Sequence, residues 1–291
     1  MSFDNRPFLK LHFIVVLWGF TAVLGLLISL SFVEVVFYRT LLAFIGLALL
    51  MKIIGVGFYV HPRQLVKLLL TGFMISIHWL LFFGAGRVAN ASVSLIGLAT
   101  VSLWTSLIEP LTFRKRISFI EVFFGIAVMG GLYIIYRSDF EYGLGLLMSL
   151  GAALLAALFS VFNVGFVKRI DPIAITFYEM VGAFLATIPF LFLMSPDQGP
   201  VMMVPGLMDF IYLLILALVC TVYANSESIR LLRRLSAFSS NLVINMEPVY
   251  GIILALLFFG KSEHMHLSFY LGSSLVIAAV LIFPIISRKF T

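Results

Sequence analysis

The sequence predicts an all-α membrane protein with ten transmembrane helices, arranged as two inverted five-helix repeats with both termini in the cytoplasm. Three observations lead to this fold class. Long apolar runs fill the chain, its basic residues alternate between the two ends of those runs, and weak similarities recur between its two halves. The expected repeats cover residues 1–138 and 139–291.

The composition indicates that lipid is the solvent. Of the 291 residues, 62% are hydrophobic and 11% are charged, against roughly 45–50% and 25% in soluble domains. A water-soluble fold of this length would expose large apolar patches. Ten spans of about 20 residues each leave only short loops, so no soluble domain is expected.

The elements follow in order from the apolar runs between charge clusters and Pro or Gly breaks. The first run, 11–33, is longer than a signal-peptide core and is interpreted as a retained helix. Asp171 and Pro172 mark the start of the seventh span, because Asp caps helix N-termini and Pro fits the first helical turn. The ten predicted spans are 11–31, 34–54, 66–85, 90–110, 119–136, 143–165, 173–194, 209–229, 237–258 and 267–286.

The distribution of Lys and Arg predicts the orientation. With the N-terminus inside, 15 of the 19 basic residues lie in cytoplasmic segments; Arg87, Arg137 and Lys261 lie in outer loops and Arg39 lies inside a span. Positive residues favour the cytoplasmic side. Nine or eleven spans would break this alternation. The net charge of +6 is thereby assigned to membrane topology and membrane lipid, and a nucleic-acid partner is not expected.

A weak internal repeat favours a duplicated fold. The tripeptide Phe37-Tyr38-Arg39 opens the second span and Phe177-Tyr178-Glu179 opens the seventh. Five helices per half is an odd number, so the second half must cross the bilayer in the opposite direction. Secondary transporters use this arrangement, with a substrate site near the midplane between the halves. A duplicated structural scaffold is the alternative interpretation.

The chain resembles the EamA family of the drug/metabolite transporter superfamily over essentially its whole length. The resemblance lies in Trp18-Gly19, Phe37-Tyr38-Arg39, the segment 237–251 and Phe259-Gly260. Lys261 stands where members usually carry Glu, and Glu263 follows two positions later. The resemblance implies an exporter of amino acids, related metabolites or drugs, with a central cavity that opens alternately to each side.

A polar sector of the ninth span is the first candidate site. Glu247 lies near half depth, where a charge needs a partner, a hydrated cavity or a proton. Pro248 frees backbone carbonyls beside it, and Asn241 and Asn245 are spaced i,i+4. These residues are expected to line a substrate cavity, and Glu247 is the candidate for proton coupling. Hydrogen bonding between helices is the structural alternative.

Aromatic residues and a histidine inside spans add further candidates for substrate binding. His78 and Trp79 lie near half depth in the third span, and histidine titrates in the useful range. Trp18 and Trp104 also lie inside spans, where they can form walls for an apolar or cationic ligand. Ordinary packing is the alternative for each of them.

Arg39 and Glu179 are interpreted as gate or anchor residues. The second span enters from outside and the seventh from inside, so the two charges are expected at opposite membrane faces rather than as an ion pair. Each then needs a local partner; Lys168, Arg169 and Arg234 are candidates for Glu179.

The sequence carries no motif for ATP binding, a His-Glu-x-x-His metal site or a nucleophile elbow, so no cofactor, no metal and no enzymatic activity is expected. The leading hypothesis is alternating-access export of a small molecule, in particular amino acids or related compounds. An intramembrane enzyme that uses His78 and Glu247 on lipid or isoprenoid substrates, and a non-transporting scaffold, are the alternatives. The short loops favour the bacterial inner membrane. Substrate, coupling ion and oligomeric state stay open.

Overall fold

The computed structural model describes residues 6–114, 119–138, 142–193, 203–260 and 266–287, which form helices and short connections without a strand. Lys261 and Glu263 lie outside the described residues. The helices are α1 (Arg6–Leu27), α2 (Phe32–Ile54), α3 (Pro62–Val88), α4 (Ala91–Leu98), α5 (Val101–Phe113), α6 (Phe119–Ser138), α7 (Gly143–Phe166), α8 (Pro172–Leu193), α9 (Leu207–Leu214), the π-helical segment π1 (Ile215–Tyr223), α10 (Ala224–Leu231), α11 (Ala237–Ile244), α12 (Glu247–Phe259) and α13 (Leu267–Ser287).

Seven helical stretches are long and apolar enough to cross a membrane, which confirms an all-α membrane protein. They are Arg6–Leu27, Phe32–Ile54, Pro62–Val88, Ala91–Phe113, Gly143–Phe166, Pro172–Leu193 and Leu207–Leu231. Two shorter apolar helices occur at Glu247–Phe259 and Leu267–Ala279. Large apolar side chains such as Leu9, Leu147 and Leu257 are mostly exposed, as a lipid-facing surface requires.

Local capping signals define where helices begin. The Asp171 carboxylate accepts from the Ile173 N–H at 2.9 Å, and Pro172 opens α8, as predicted. Ser31 and Glu34 form a capping box at the start of α2, which satisfies two backbone donors reciprocally. Gly55 ends α2 with φ at 75°, a left-handed conformation that favours glycine.

The predicted fourth and ninth spans, 90–110 and 237–258, are each interrupted, which corrects the expectation of continuous helices. Between α4 and α5, the Thr100 hydroxyl donates to the Gly97 carbonyl at 2.8 Å and the Thr100 N–H bonds the same oxygen at 3.2 Å. In a continuous helix that carbonyl would accept from Val101. Side-chain competition of this kind favours a break.

The second break lies at Asn245–Met246, between α11 and α12. Pro248 lacks the N–H that would bond the Ile244 carbonyl. The Met246 N–H instead bonds the carbonyl three residues back at 3.0 Å, a tighter turn. α12 therefore begins afresh at Glu247.

The helices of residues 1–138 pack directly against those of residues 139–291. α3 packs on α7 and α8, α2 on α8, α1 on α12, and α6 on α13. Glycines permit the closest approaches. A Cβ added at Gly72 would lie 2.2 Å from the Glu179 carbonyl oxygen, and one at Gly19 would lie 2.9 Å from the Gly251 nitrogen. Backbone therefore meets backbone beside both carboxylates of the predicted site.

Candidate functional site

Helices from both parts of the chain enclose a cavity of about 920 Å³, a volume that includes its opening. Its lining residues come from α1, α2, α3, α7, α8, α10, α11 and α12, and from both sides of the α4–α5 break. Aromatic and aliphatic side chains alternate with a few polar groups. A concave, mostly apolar site with a few converging polar groups is typical of small-molecule binding.

Seven of the nine predicted site residues line this cavity. They are Trp18, Arg39, His78, Trp79, Glu179, Asn241 and Glu247. Trp104 and Asn245 are not among the lining residues. The Trp104 indole N–H is buried and has no partner among the described residues. The Asn245 amide donates to the Ser102 hydroxyl and thereby ties the α11–α12 break to α5.

Arg39 is fixed in the cavity wall by two contacts. Its Nε donates to the Thr221 hydroxyl at 2.8 Å, and its guanidinium carbon lies 3.8 Å from the centre of the Trp79 ring. The side chain is only 2% exposed. A planar guanidinium stacks on aromatic rings and keeps its charge when buried, so Arg39 presents a rigid positive group to the cavity.

The expectation that Arg39 and Glu179 sit at opposite membrane faces is wrong, because both line the same cavity. Each is the eighth residue of its helix, α2 or α8. At 1.5 Å per residue this places each about 10–12 Å from its helix end, well inside a bilayer core. Two helices that enter from opposite sides can therefore bring these positions together.

The π1 segment supplies the hydrogen-bond acceptor of Arg39. Thr221 lies in π1, and its hydroxyl donates to the Leu216 carbonyl, five residues back, at 2.8 Å while accepting from Arg39. The neighbouring Cys220 carbonyl accepts from the Trp18 indole N–H at 3.1 Å. π-helical turns occur frequently at functional sites, and this one anchors two cavity residues from other helices.

Glu247 lies at the start of α12 and is 7% exposed. Glu247 and Arg39 line the same cavity and lie close enough to interact electrostatically. α1 holds the adjacent backbone, because Gly19 lies against Gly251 and the Glu247 carbonyl. The carboxyl group is thus presented by a helix end whose position is set by close packing.

Asn241 both lines the cavity and joins helices. Its amide nitrogen donates to the Thr105 hydroxyl at 2.7 Å, and its amide oxygen accepts from the Ser160 hydroxyl at 3.2 Å. The polar face predicted for α11 therefore bonds α5 and α7, as the structural alternative required, while Asn241 still borders the cavity.

His78 is held by a backbone carbonyl. Its Nδ1 lies 2.8 Å from the Ala152 oxygen, so the neutral ring carries its proton on Nδ1 and has Nε2 as an acceptor. This tautomer is assigned from the contact. Phe159 packs edge-on against the ring at 5.4 Å between centroids, so His78 is a positioned part of the cavity wall.

Sequence reasoning missed Asn163 and Asn225, which also line the cavity. Asn163 lies in α7 and Asn225 in α10. The signal that identified Asn241, an amide inside an apolar span, applies equally to Asn163. Among the described residues, no group of His, Cys, Asp and Glu could hold a metal ion.

Comparison with known proteins relates the second half of the chain to one family. Residues 143–284 match the model of the EamA-like transporter family. This family is part of the drug/metabolite transporter superfamily. The resemblance seen in the sequence is therefore confirmed for residues 143–284. EamA members are transporters rather than enzymes. The apolar helices and the EamA match together indicate a multi-pass membrane protein.

Solved structures support the fold of this chain. In total, 28 chains of solved structures match it. One of them, a crystal structure of a protein, aligns over 98% of this chain and 99% of its own, with a TM-score of 0.71 and 15% sequence identity. Identity this low shows a shared fold alone. No curated protein matches the sequence.

Proposed function

We propose that the protein is a secondary transporter that exports small metabolites, in particular amino acids and related compounds, by alternating access. The observation that carries the proposal is the cavity, which is lined by Arg39, Glu179 and Glu247 together with aromatic and aliphatic side chains. Opposite charges in one apolar enclosure suit a small molecule that carries both a carboxylate and an ammonium group. The residues predicted as gate or anchor, Arg39 and Glu179, would then belong to the binding site.

Matching interruptions support a ten-span fold with two inverted repeats. α4 and α11 have eight residues each, α5 and α12 have 13 each, and both breaks span two residues. The stretches Phe119–Ser138, Ala237–Phe259 and Leu267–Ser287 supply the three crossings beyond the seven long apolar ones. Discontinuous helices in corresponding positions of two halves are typical of transporter binding sites.

Reciprocal tyrosine contacts also fit an inverted repeat. The Tyr38 hydroxyl on α2 donates to the Met203 carbonyl at 3.0 Å, in the connection before α9. The Tyr178 hydroxyl, at the same position of α8, donates to the Phe58 carbonyl, in the connection before α3. Each half thus holds the corresponding connection of the other half, as a pseudo-twofold axis requires.

The cavity belongs to an inward-facing state in the orientation that the basic residues predict. Asn225 and Ser228 of α10 and Leu232 just after it line the cavity, toward the end of the predicted eighth span that is cytoplasmic in this orientation. On the outer side, Asp209 accepts from the backbone N–H and hydroxyl of Ser29. The Glu34 carboxylate accepts from the Met203 N–H at 2.8 Å. An exporter in this state is ready to load substrate from the cytoplasm, in keeping with a bacterial inner membrane.

The direct test is efflux from proteoliposomes that contain the purified full chain and a panel of radiolabelled amino acids, with protein-free liposomes as the baseline. We expect efflux above this baseline, and Ala156→Phe, which fills the cavity, should abolish it. Leu147→Phe places the same phenyl ring at an exposed position and should leave transport unchanged. Absence of flux across the panel, or full flux with Ala156→Phe, would contradict the proposal.

A further inference from the structure

Two buried oxygen atoms in the cavity wall have no hydrogen-bond donor. They are Glu179 Oε1 and Asn163 Oδ1, which lack a partner within the ranges that the structure describes. Glu179 is 1% exposed and Asn163 is 4% exposed. Both residues line the cavity, and the Asn163 side chain interacts with the Glu179 carboxyl group. The two unpaired acceptors therefore belong to one cluster.

The two carboxyl groups of the cavity differ in their electrostatic surroundings. The positive charge of Arg39 acts on Glu247. Glu179 forms no ion pair with a basic side chain among the described residues; its interacting neighbour is the neutral Asn163. A buried carboxylate without a positive partner is costly. Glu179 thus has one oxygen atom, Oε1, without a donor and no positive partner among the described residues.

A donor with positive charge would satisfy both the unpaired oxygen atoms and the carboxylate charge. A primary ammonium group has three N–H donors and no acceptor. It can bond a carboxylate oxygen and an amide oxygen together, and charge-assisted bonds of this kind are the stronger class. A neutral hydroxyl would bring its own acceptor into the same cluster and would leave the carboxylate charge unbalanced.

We propose that Glu179 and Asn163 form the subsite that binds the primary ammonium group of the transported molecule. The inference rests on the proposed function and narrows its substrate class to amines, including zwitterions whose carboxylate faces Arg39. Aliphatic residues such as Ile75, Leu98 and Ile244 line the same cavity and accept the hydrocarbon part.

The test uses the full chain in detergent and two probes with one carbon skeleton, 3-methylbutylamine and 3-methylbutan-1-ol. Ligand binding raises the unfolding temperature by an amount that grows with the logarithm of the ratio of ligand concentration to dissociation constant, so titration of each probe gives its dissociation constant. We expect the amine to bind the wild-type protein and the alcohol to bind much more weakly. Glu179→Gln should weaken amine binding by about tenfold or more, and Asn163→Leu, which removes the amide oxygen, should weaken it as well.

Glu109→Gln provides the matched control, because Glu109 is a buried carboxyl residue that does not line the cavity; it should leave amine binding unchanged. Equal binding of amine and alcohol, or unchanged amine binding in Glu179→Gln, overturns the inference. Equal weakening of both probes by Glu179→Gln also overturns it, because the role would then be structural. Saturation by sodium ions that the amine cannot displace assigns the site to a metal cation instead.

Failure of the inference is distinguishable from failure of the proposed function. Leucine efflux from proteoliposomes reports on transport, whereas the probe titration reports on the subsite. Efflux without amine selectivity would support the proposed transport function and contradict the ammonium subsite. Amine selectivity without any efflux would support the ammonium subsite and contradict the proposed transport function.

Discussion

Replacing Gly72 by alanine tests the close contact that fixes Glu179. The added Cβ would lie 2.2 Å from the Glu179 carbonyl oxygen, 2.9 Å from the Ala183 nitrogen and 2.9 Å from the Gly182 Cα. All three atoms are backbone, so no side-chain rotation relieves the clash. α3 and α8 must separate by about 1 Å or more to restore van der Waals contact at 3.5–4.0 Å.

The magnitude follows from comparison with Gly165→Ala. Gly165 also lies inside a helix, and a Cβ there meets nothing within 4 Å. Both substitutions gain about 0.5–1 kcal/mol of helix propensity, so this gain cancels in the difference. Overpacking costs about 1–3 kcal/mol, and Gly72→Ala should be less stable than Gly165→Ala by that amount.

Thermal unfolding of both variants in the same detergent measures the difference. About 1 kcal/mol corresponds to roughly 2–4 °C in proteins of 150–250 residues, so a difference of several degrees is expected. Efflux should also fall in Gly72→Ala, because the displaced backbone carries Glu179. If the two variants unfold at the same temperature and transport equally well, the geometric argument is refuted.

Three further substitutions test other parts of the site. Arg39→Lys keeps the positive charge but loses the planar guanidinium that stacks on Trp79, so the KM for efflux should rise about tenfold or more. The exposed Arg63→Lys is the control and should leave the KM unchanged. An unaltered KM in Arg39→Lys would contradict the assigned contact. Glu247→Gln should abolish the acceleration of efflux by a proton gradient that is acid outside. The control Glu109→Gln should keep this acceleration. If the acceleration persists in Glu247→Gln, this residue does not carry the proton. Asp209→Asn should loosen the outer contact with Ser29 and speed the labelling of a cysteine introduced at Thr21, in a Cys220→Ala background, by an impermeant maleimide added outside. Asp171→Asn, which alters a helix cap elsewhere, should have no such effect, and equal labelling rates would argue against an outer latch.

Much of the fold could be predicted from the sequence because it depends on local signals. Apolar runs located the seven long membrane stretches, and the Asp171 cap with Pro172 located the start of α8. Glu247 and Arg39 were recognisable because a charge inside an apolar run demands an explanation. These inferences need only composition and the chemistry of neighbouring residues.

Other features depend on contacts between distant residues. Pro248 predicts the break after α11. The break at Thr100 instead depends on a hydrogen bond from the Thr100 hydroxyl to the Gly97 carbonyl, and threonine often makes such a bond without ending a helix. The i,i+4 spacing of Asn241 and Asn245 predicts that the two residues share one face of a continuous helix. In the structure it lies at the interruption and bonds Ser102, so it does not line the cavity.

Arg39 and Glu179 were predicted to lie apart, whereas both line the same cavity. Their predicted separation assumed that a charge near the start of a span stays near the membrane surface. Position along a helix fixes depth only when the helix bounds and tilt are known, and both residues lie eight positions in. Their meeting in one cavity is a product of how α2 and α8 pack.

The π1 segment has a consequence for the phase of the helix that follows it. A wider turn absorbs an additional residue without forming a loop, so the faces of α9 and α10 are offset from the regular 3.6-residue repeat. Asn225 and Ser228 follow this segment in α10 and line the cavity. A one-residue deletion within Ile215–Tyr223 would preserve an apolar helix of nearly the same length while turning α10 by about 100°. The position of the α10 side chains around the cavity thus depends on the number of residues in π1 as well as on side-chain identity.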